Sequence, residues 1–140
     1  MVKTGQSQTF AFVKPDGVRR GLVGLIVSRI ERKGLKLRAL RLMRIDLRTA
    51  ETLYAIHRGK PFYKELARHV SSGPICAMVV SGRNAVEVVR SIVGSTDPSK
   101  AMPGTIRGDL GTDLTNNIVH AADSAVSANR ETRIIFGRRL

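Results

Sequence analysis

The sequence predicts one domain of mixed α/β or α+β architecture, and three observations carry that prediction. Short β-branched and aromatic runs alternate from end to end with stretches whose apolar residues recur at helical spacing. The chain has 140 residues, which fits one folding unit of the usual size of about 100–200 residues. Hydrophobic residues make up 42% and charged residues 25%, a balance that supports a packed core and excludes disorder as the default state.

Thr9 to Val13 reads as a strand, and Lys14-Pro15-Asp16-Gly17 follows as a turn with a helix start. From Val18 the residues Leu22, Leu25, Ile26 and Ile30 keep helical spacing, and Gly34 after Arg32-Lys33 is a helix stop. Leu35 to Ile45 alternates, but Leu35 and Leu37 have one parity and Leu40 and Leu42 the other. A second strand there contains a bulge or exchanges faces midway. Arg48 to Ile56 and Phe62 to Val70 read as a pair of short helices around Arg58-Gly59-Lys60-Pro61, with Pro61 suited to the first turn of the second. Ile75 to Val80 is a buried strand, and Arg83 to Val93 a helix closed by Gly94. Ser95 to Asn116 is a polar loop with Pro98, Pro103 and three glycines, of a length that is usually functional. A brief strand at Ile118 to His120, a helix at Ser124 to Arg130 and an extended segment at Thr132 to Phe136 complete the chain. Residues 1–8 form a short polar tail and 137–140 a basic one, around a single domain at 9–136.

A formal charge of +13, from 24 basic and 11 acidic residues, favours an anionic partner: nucleic acid, an acidic membrane surface or nucleotide phosphates. No apolar stretch approaches the ~20 residues of a membrane span, and the polar start Met1 to Gln8 has no signal-like core, so a cytoplasmic location is expected. The lone Cys76 lies in an apolar run and reads as a small hydrophobe. With His57, His69 and His120 it has no zinc-ligand spacing. Gly94 to Lys100 lacks the second glycine of a Walker loop, and no GxGxxG follows a strand. What remains is Lys14 after the first strand, Arg90 on a helix, Thr96 at the loop entrance and Arg107 within the loop. Three cations and a hydroxyl suffice to neutralise and orient a triphosphate.

Lys14-Pro15-Asp16-Gly17-Val18, Arg20-Gly21-Leu22-Val23-Gly24, the stretch from Pro103 to Asp109 and the stretch from Asn117 to Ser124 together resemble the nucleoside diphosphate kinase family, in order from about Gln8 to Phe136. The resemblance implies an α+β fold: a ferredoxin-like four-stranded antiparallel sheet flanked by helices, with a helical hairpin inserted and a long loop before the histidine. It implies that His120 takes the γ-phosphoryl group of a nucleoside triphosphate and passes it to a diphosphate in ping-pong fashion. Neutral imidazole supplies the lone pair for such a step at physiological pH.

By the same resemblance Glu131 accepts the proton of the other ring nitrogen, and Lys14, Arg90, Arg107 and Thr96 contact the phosphates. Tyr54 offers a hydroxyl near the transferring group, Asn117 and Lys14 reach the ribose, and the base lies between Phe62 and Leu114. A base held by stacking implies broad specificity. Mg²⁺ is implied on the nucleotide phosphates, with no direct protein ligand and Asp123 as an outer partner. The family's assemblies imply a homo-oligomer, with a hexamer first.

One departure lies beside the histidine. Where the family reads His-Gly-Ser-Asp-Ser, this chain has His120-Ala121-Ala122-Asp123-Ser124, losing a hydroxyl at Ala122 and adding a methyl at Ala121. The alternative reading is a nucleic-acid-binding module on the same scaffold with weak or no catalysis. The 11 basic and 3 acidic residues between Lys14 and Arg48 support it, whereas the few aromatics, Phe10, Phe12, Tyr54, Phe62, Tyr63 and Phe136, form no stacking platform.

Overall fold

A computed structural model describes residues 5–137. The chain runs β1 (Gln6–Val13), α1 (Pro15–Arg19), α2 (Val23–Arg32), β2 (Lys36–Met43), α3 (Leu47–Leu53), α4 (Tyr63–Ser71), β3 (Ile75–Arg83), α5 (Ala85–Val93), α6 (Ile106–Leu110), β4 (Val119–Ala121) and α7 (Ala125–Phe136). Side-chain alternation in the two central strands sets the layers. Phe10, Phe12, Ile75, Ala77 and Val79 enter one core with Leu53, Val70 and Ala128 of α3, α4 and α7. Ala11, Val13, Cys76, Met78 and Val80 enter a second core with Ile26, Ile30, Val89 and Val93 of α2 and α5. Both faces of the sheet are covered, which is why these strands read as unbroken apolar runs.

The sheet order is β2-β3-β1-β4, with every neighbouring pair antiparallel. This is the ferredoxin-like arrangement, split βαβ units with helices on the sheet. The bulge expected in β2 falls between Leu37 and Ala39. Leu37 packs with the α2 side, whereas Ala39 and Met43 pack with the α7 side, so the extra residue returns Leu40 and Leu42 to the face of Leu35 and Leu37. They stay 51% and 66% exposed on an edge strand.

Four expectations are corrected. The helix from Val18 is two helices: α1 starts directly at Pro15, and Gly21 at φ +70° breaks the ladder before α2. Its apolar spacing reads through the break because Val18 and Leu22 pack against the same core as Ile26 and Ile30. Thr132 to Phe136 is helical, not extended, since Ala128, Thr132 and Ile135 are buried together on one side of α7 and override the β-branched composition. Pro61 precedes α4 in a turn closed by Tyr63 N–H to Lys60 O at 3.1 Å, with Phe62 as N-cap, so it does not occupy the first helical turn. Strand β1 begins at Gln6, where Gln6, Ser7 and Gln8 pair with Arg83, Gly82 and Ser81, so part of the polar tail is sheet. The rest of both tails, 1–4 and 138–140, lies outside the described residues.

The long loop is structured. It carries a 3-10 turn at Pro98–Lys100 and α6, capped by the Thr105 hydroxyl accepting from Gly108 N–H at 3.0 Å. Arg29 of α2 donates to Asp109 Oδ2 at 3.0 Å and Gly104 O at 3.2 Å, and Arg20 donates to Leu110 O at 2.7 Å. The first helical layer thereby moors the segment that carries Arg107.

Candidate active site

The junction of β1 and α1 forms the floor. Lys14 is the N-cap of α1 and is 2% exposed. Its Nζ donates to Thr115 O at 2.6 Å and Asn117 Oδ1 at 2.9 Å, and Asn117 Nδ2 donates onward to Thr96 O at 3.0 Å. Burial, opposed by Asp16 and reinforced by Arg107, lowers the Lys14 pKa to about 8. Asp16, in the first turn of α1, accepts from Ile118 N–H at 3.0 Å and from His69 Nε2 at 2.9 Å. Burial pushes its carboxyl up, but the His69 hydrogen bond and the Lys14 charge outweigh this and hold it below the usual range.

Strand β4 supplies the histidine. Val119 and Ala121 pack with the α5 side while Ala122 packs with the α7 side, and the period of two turns His120 toward α7. His120 stands opposite Phe12 of β1, with rings 4.8 Å apart and nearly parallel, and Tyr54 meets its edge at 5.5 Å. Glu131 of α7, 5% exposed, accepts a hydrogen bond from His120 Nε2. A carboxylate only accepts, so Nε2 carries the proton and Nδ1 keeps its lone pair. Burial, then the Glu131 charge, pushes the Tyr54 phenol well above its ordinary value and keeps it a hydroxyl.

Arg107 on α6 donates to Gly94 O at 3.1 Å and Val119 O at 2.7 Å, and its Nε is buried with no partner. Burial lowers its pKa to about 10, which still leaves it charged at neutral pH. A cavity of about 740 Å³ opens between these elements. Lys14, Tyr54, Phe62, Arg90, Thr96, Arg107, Leu114, Asn117, His120, Asp123 and Glu131 all line it, so every residue that the sequence assigned to catalysis, nucleotide contact or the outer shell of Mg²⁺ meets in one place. Phe62 and Leu114, 47% and 60% exposed, stand as apolar side chains of its wall. Asp123 is exposed, with its carboxyl held down first by Ser127.

Of the two alanines, Ala121 lines the cavity and pairs with Ala11, while Ala122 is buried beside Phe10 and donates its N–H to Phe10 O at 2.9 Å. Sequence reasoning missed His57, Leu66 and Thr115 in the cavity wall. The His57 ring lies 5.2 Å from Phe62 and 6.3 Å from Tyr54. Burial, then the Lys60 charge, keeps it below the usual histidine range. Nothing in its spacing marked it, because it sits in the break between two helices.

Known proteins share this fold and sequence. The sequence model of the nucleoside diphosphate kinase family matches residues 7–139. A nucleoside diphosphate kinase of Archaeoglobus fulgidus is 54% identical over 129 residues, 92% of this chain and 85% of the relative. One from Staphylococcus aureus is 53% identical over 129 residues, 92% of this chain and 87% of the relative. The solved structure of a halophilic nucleoside diphosphate kinase from Halobacterium salinarum in complex with CDP superposes with a TM-score of 0.91 at 47% identity, covering 94% of this chain and 88% of that one. With a family match over nearly its whole length and relatives above half identity, the chain belongs to the nucleoside diphosphate kinase family and is a nucleotide-binding phosphotransferase.

Proposed function

We propose that the protein moves the γ-phosphoryl group of a nucleoside triphosphate to a nucleoside diphosphate by a ping-pong route through a phosphohistidine on His120. The single observation that carries this is the His120–Glu131 pair, which commits the ring proton to Nε2 and leaves the Nδ1 lone pair for attack. A bond forms from Nδ1 to the γ-phosphorus as the bond to the β,γ-bridging oxygen breaks, and the diphosphate departs with that electron pair. A second diphosphate reverses the step. Lys14, Arg90 and Arg107 neutralise the phosphate oxygens, Thr96 and the Tyr54 hydroxyl donate to them, and Asn117 with Lys14 holds the ribose. Phe62 and Leu114 hold the base by its faces, which supports broad specificity across bases and sugars.

No group of three His, Cys, Asp or Glu side chains that could cage a metal occurs among the described residues. The lone Asp123 at the cavity fits an outer, water-mediated partner of Mg²⁺ carried on the nucleotide. The ion, when bound, neutralises phosphate charge. The proposed location is the cytoplasm, in keeping with a single cysteine that can form no internal disulfide.

A homo-oligomer, a hexamer in the first instance, belongs to this reading. The exposed Leu40 and Leu42 on the open edge of β2 support it. Nucleic acid is a secondary partner, for which the exposed Arg32, Lys33, Lys36, Arg38, Arg41 and Arg44, outside the cavity, are the support. RNA affinity falling steeply with salt checks that part. The main test is intact-mass measurement after incubation with Mg-ATP. One acid-labile phosphoryl group is expected on the chain, lost again on adding a second diphosphate; no label, or an acid-stable one, overturns the reading.

A further inference from the structure

Ile118 is the one β-branched residue at positive φ, +76°, among the described residues, a strained conformation for such a side chain. Its immediate neighbours make functional contacts. Asn117 accepts from Lys14 Nζ, and Val119 O accepts from Arg107. Both peptide groups of Ile118 are clamped by the start of α1: Lys14 N–H donates to Ile118 O at 2.8 Å, and Asp16 Oδ2 accepts from Ile118 N–H at 3.0 Å. Gly17 adds close contact, since a Cβ there would stand 3.0 Å from Ile118 O and 3.1 Å from its Cγ2.

The remaining carboxylate oxygen of Asp16 accepts from His69 Nε2 at 2.9 Å. Both side chains are nearly closed to solvent, 11% for His69 and 5% for Asp16. His69 lies in the last turn of α4, whose N-cap is Phe62 and which also lends Leu66 to the cavity. One buried imidazole thus joins the wall bearing the aromatic side chain to the floor bearing Lys14.

We propose that His69, acting through Asp16, is a positioning residue that holds Ile118 in its positive-φ conformation and so sets Lys14 for the nucleotide phosphates and Asn117, with Lys14, for the ribose. The inference rests on the nucleotide-transfer reading above. It concerns binding more than the chemical step, because Glu131, not Asp16, is the hydrogen-bond partner of His120.

The test uses H69L, which removes the donor, H69N, whose shorter amide falls short of Asp16, and H69Q, whose amide nitrogen reaches as far as Nε2 and restores the hydrogen bond. ADP affinity is read by calorimetry and transfer by steady-state kinetics. H69L and H69N are expected to weaken ADP binding about tenfold, the scale of a lost hydrogen bond to a charged group. KM should rise to match, with kcat within about threefold and H69Q within about twofold of the parent on every constant. Folded H69L and H69N that bind ADP like the parent overturn the proposal. So does an H69Q as impaired as H69N, which would mean the hydrogen bond is not the agent. If only H69Q folds, the bond serves the fold and the proposal also fails. A parent that binds ADP but transfers nothing defeats the catalytic reading alone, and the binding constants still decide this one.

Discussion

Replacing His120 by Ala is expected to reduce phosphoryl exchange by about 10⁵-fold or more, to background, the scale on which losing a covalent nucleophile acts. No other histidine is placed to substitute. His57 lines the same cavity, but its Nδ1 lies 3.3 Å from Lys60 Nζ, and the Tyr54 phenol stays protonated at any working pH. The Ala variant also leaves the buried Glu131 carboxylate without its donor, so lost activity could be confused with a disturbed α7. His120→Gln separates the two, because its amide still donates toward Glu131 yet has no nucleophilic nitrogen. Both variants are expected to be inactive and unlabelled by Mg-ATP, with His120→Gln near the parent in thermal stability. Exchange above about a hundredth of the parent rate in a folded variant overturns the role of His120.

Replacing Lys14 by Met is expected to reduce kcat/KM by about 10²–10³-fold, the usual effect of deleting one charged donor at a transferring group. The same substitution carries a stability signature of defined sign. Burial lowers the Lys14 pKa from 10.5 to about 8 in the folded chain. Between those values the unfolded chain holds a proton that the folded chain has lost, so the parent gains stability as pH rises through this window. The Met variant has no such group. The stability of Lys14→Met relative to the parent should therefore fall by about 1.4 kcal/mol per pH unit from about 8 to 10.5, and level off below and above. Chemical denaturation across pH measures it, and a flat difference overturns the buried, pKa-lowered lysine. Activity moves oppositely: kcat/KM of the parent declines above pH ~8 as Lys14 loses the charge that phosphate requires.

The sequence was most legible where one period or one turn carried the information. Ile75 to Val80 announced a buried strand because both of its faces are covered, and the change of leucine parity in β2 announced a bulge that the register contains. The break at Gly21 was hidden because α1 and α2 feed one core, which keeps apolar spacing continuous across a discontinuous backbone. The end of α7 was hidden because Thr132, Ile134 and Ile135 favour strands locally, whereas burial against the sheet decides the matter. The candidate site was legible only as a combination of short motifs, since each lysine, arginine or threonine taken singly suits a solvated surface. Asp16 and His69 show what remains beyond reach: they meet across 53 residues, and no local pattern records a hydrogen bond of that span.

Strand β4 is three residues long, and His120 stands between two positions facing the opposite layer. The chain's tolerance to length changes is therefore uneven. One residue inserted or deleted between Ile118 and His120 would exchange the layers that these side chains enter, sending the imidazole toward α5 and an aliphatic residue toward Glu131. No compensating shift is open, because the clamp on Ile118 fixes one end of the strand and the cap of α7 at Ser124 fixes the other. Segments grafted into this scaffold belong elsewhere, at exposed turns away from the cavity such as Lys33-Gly34.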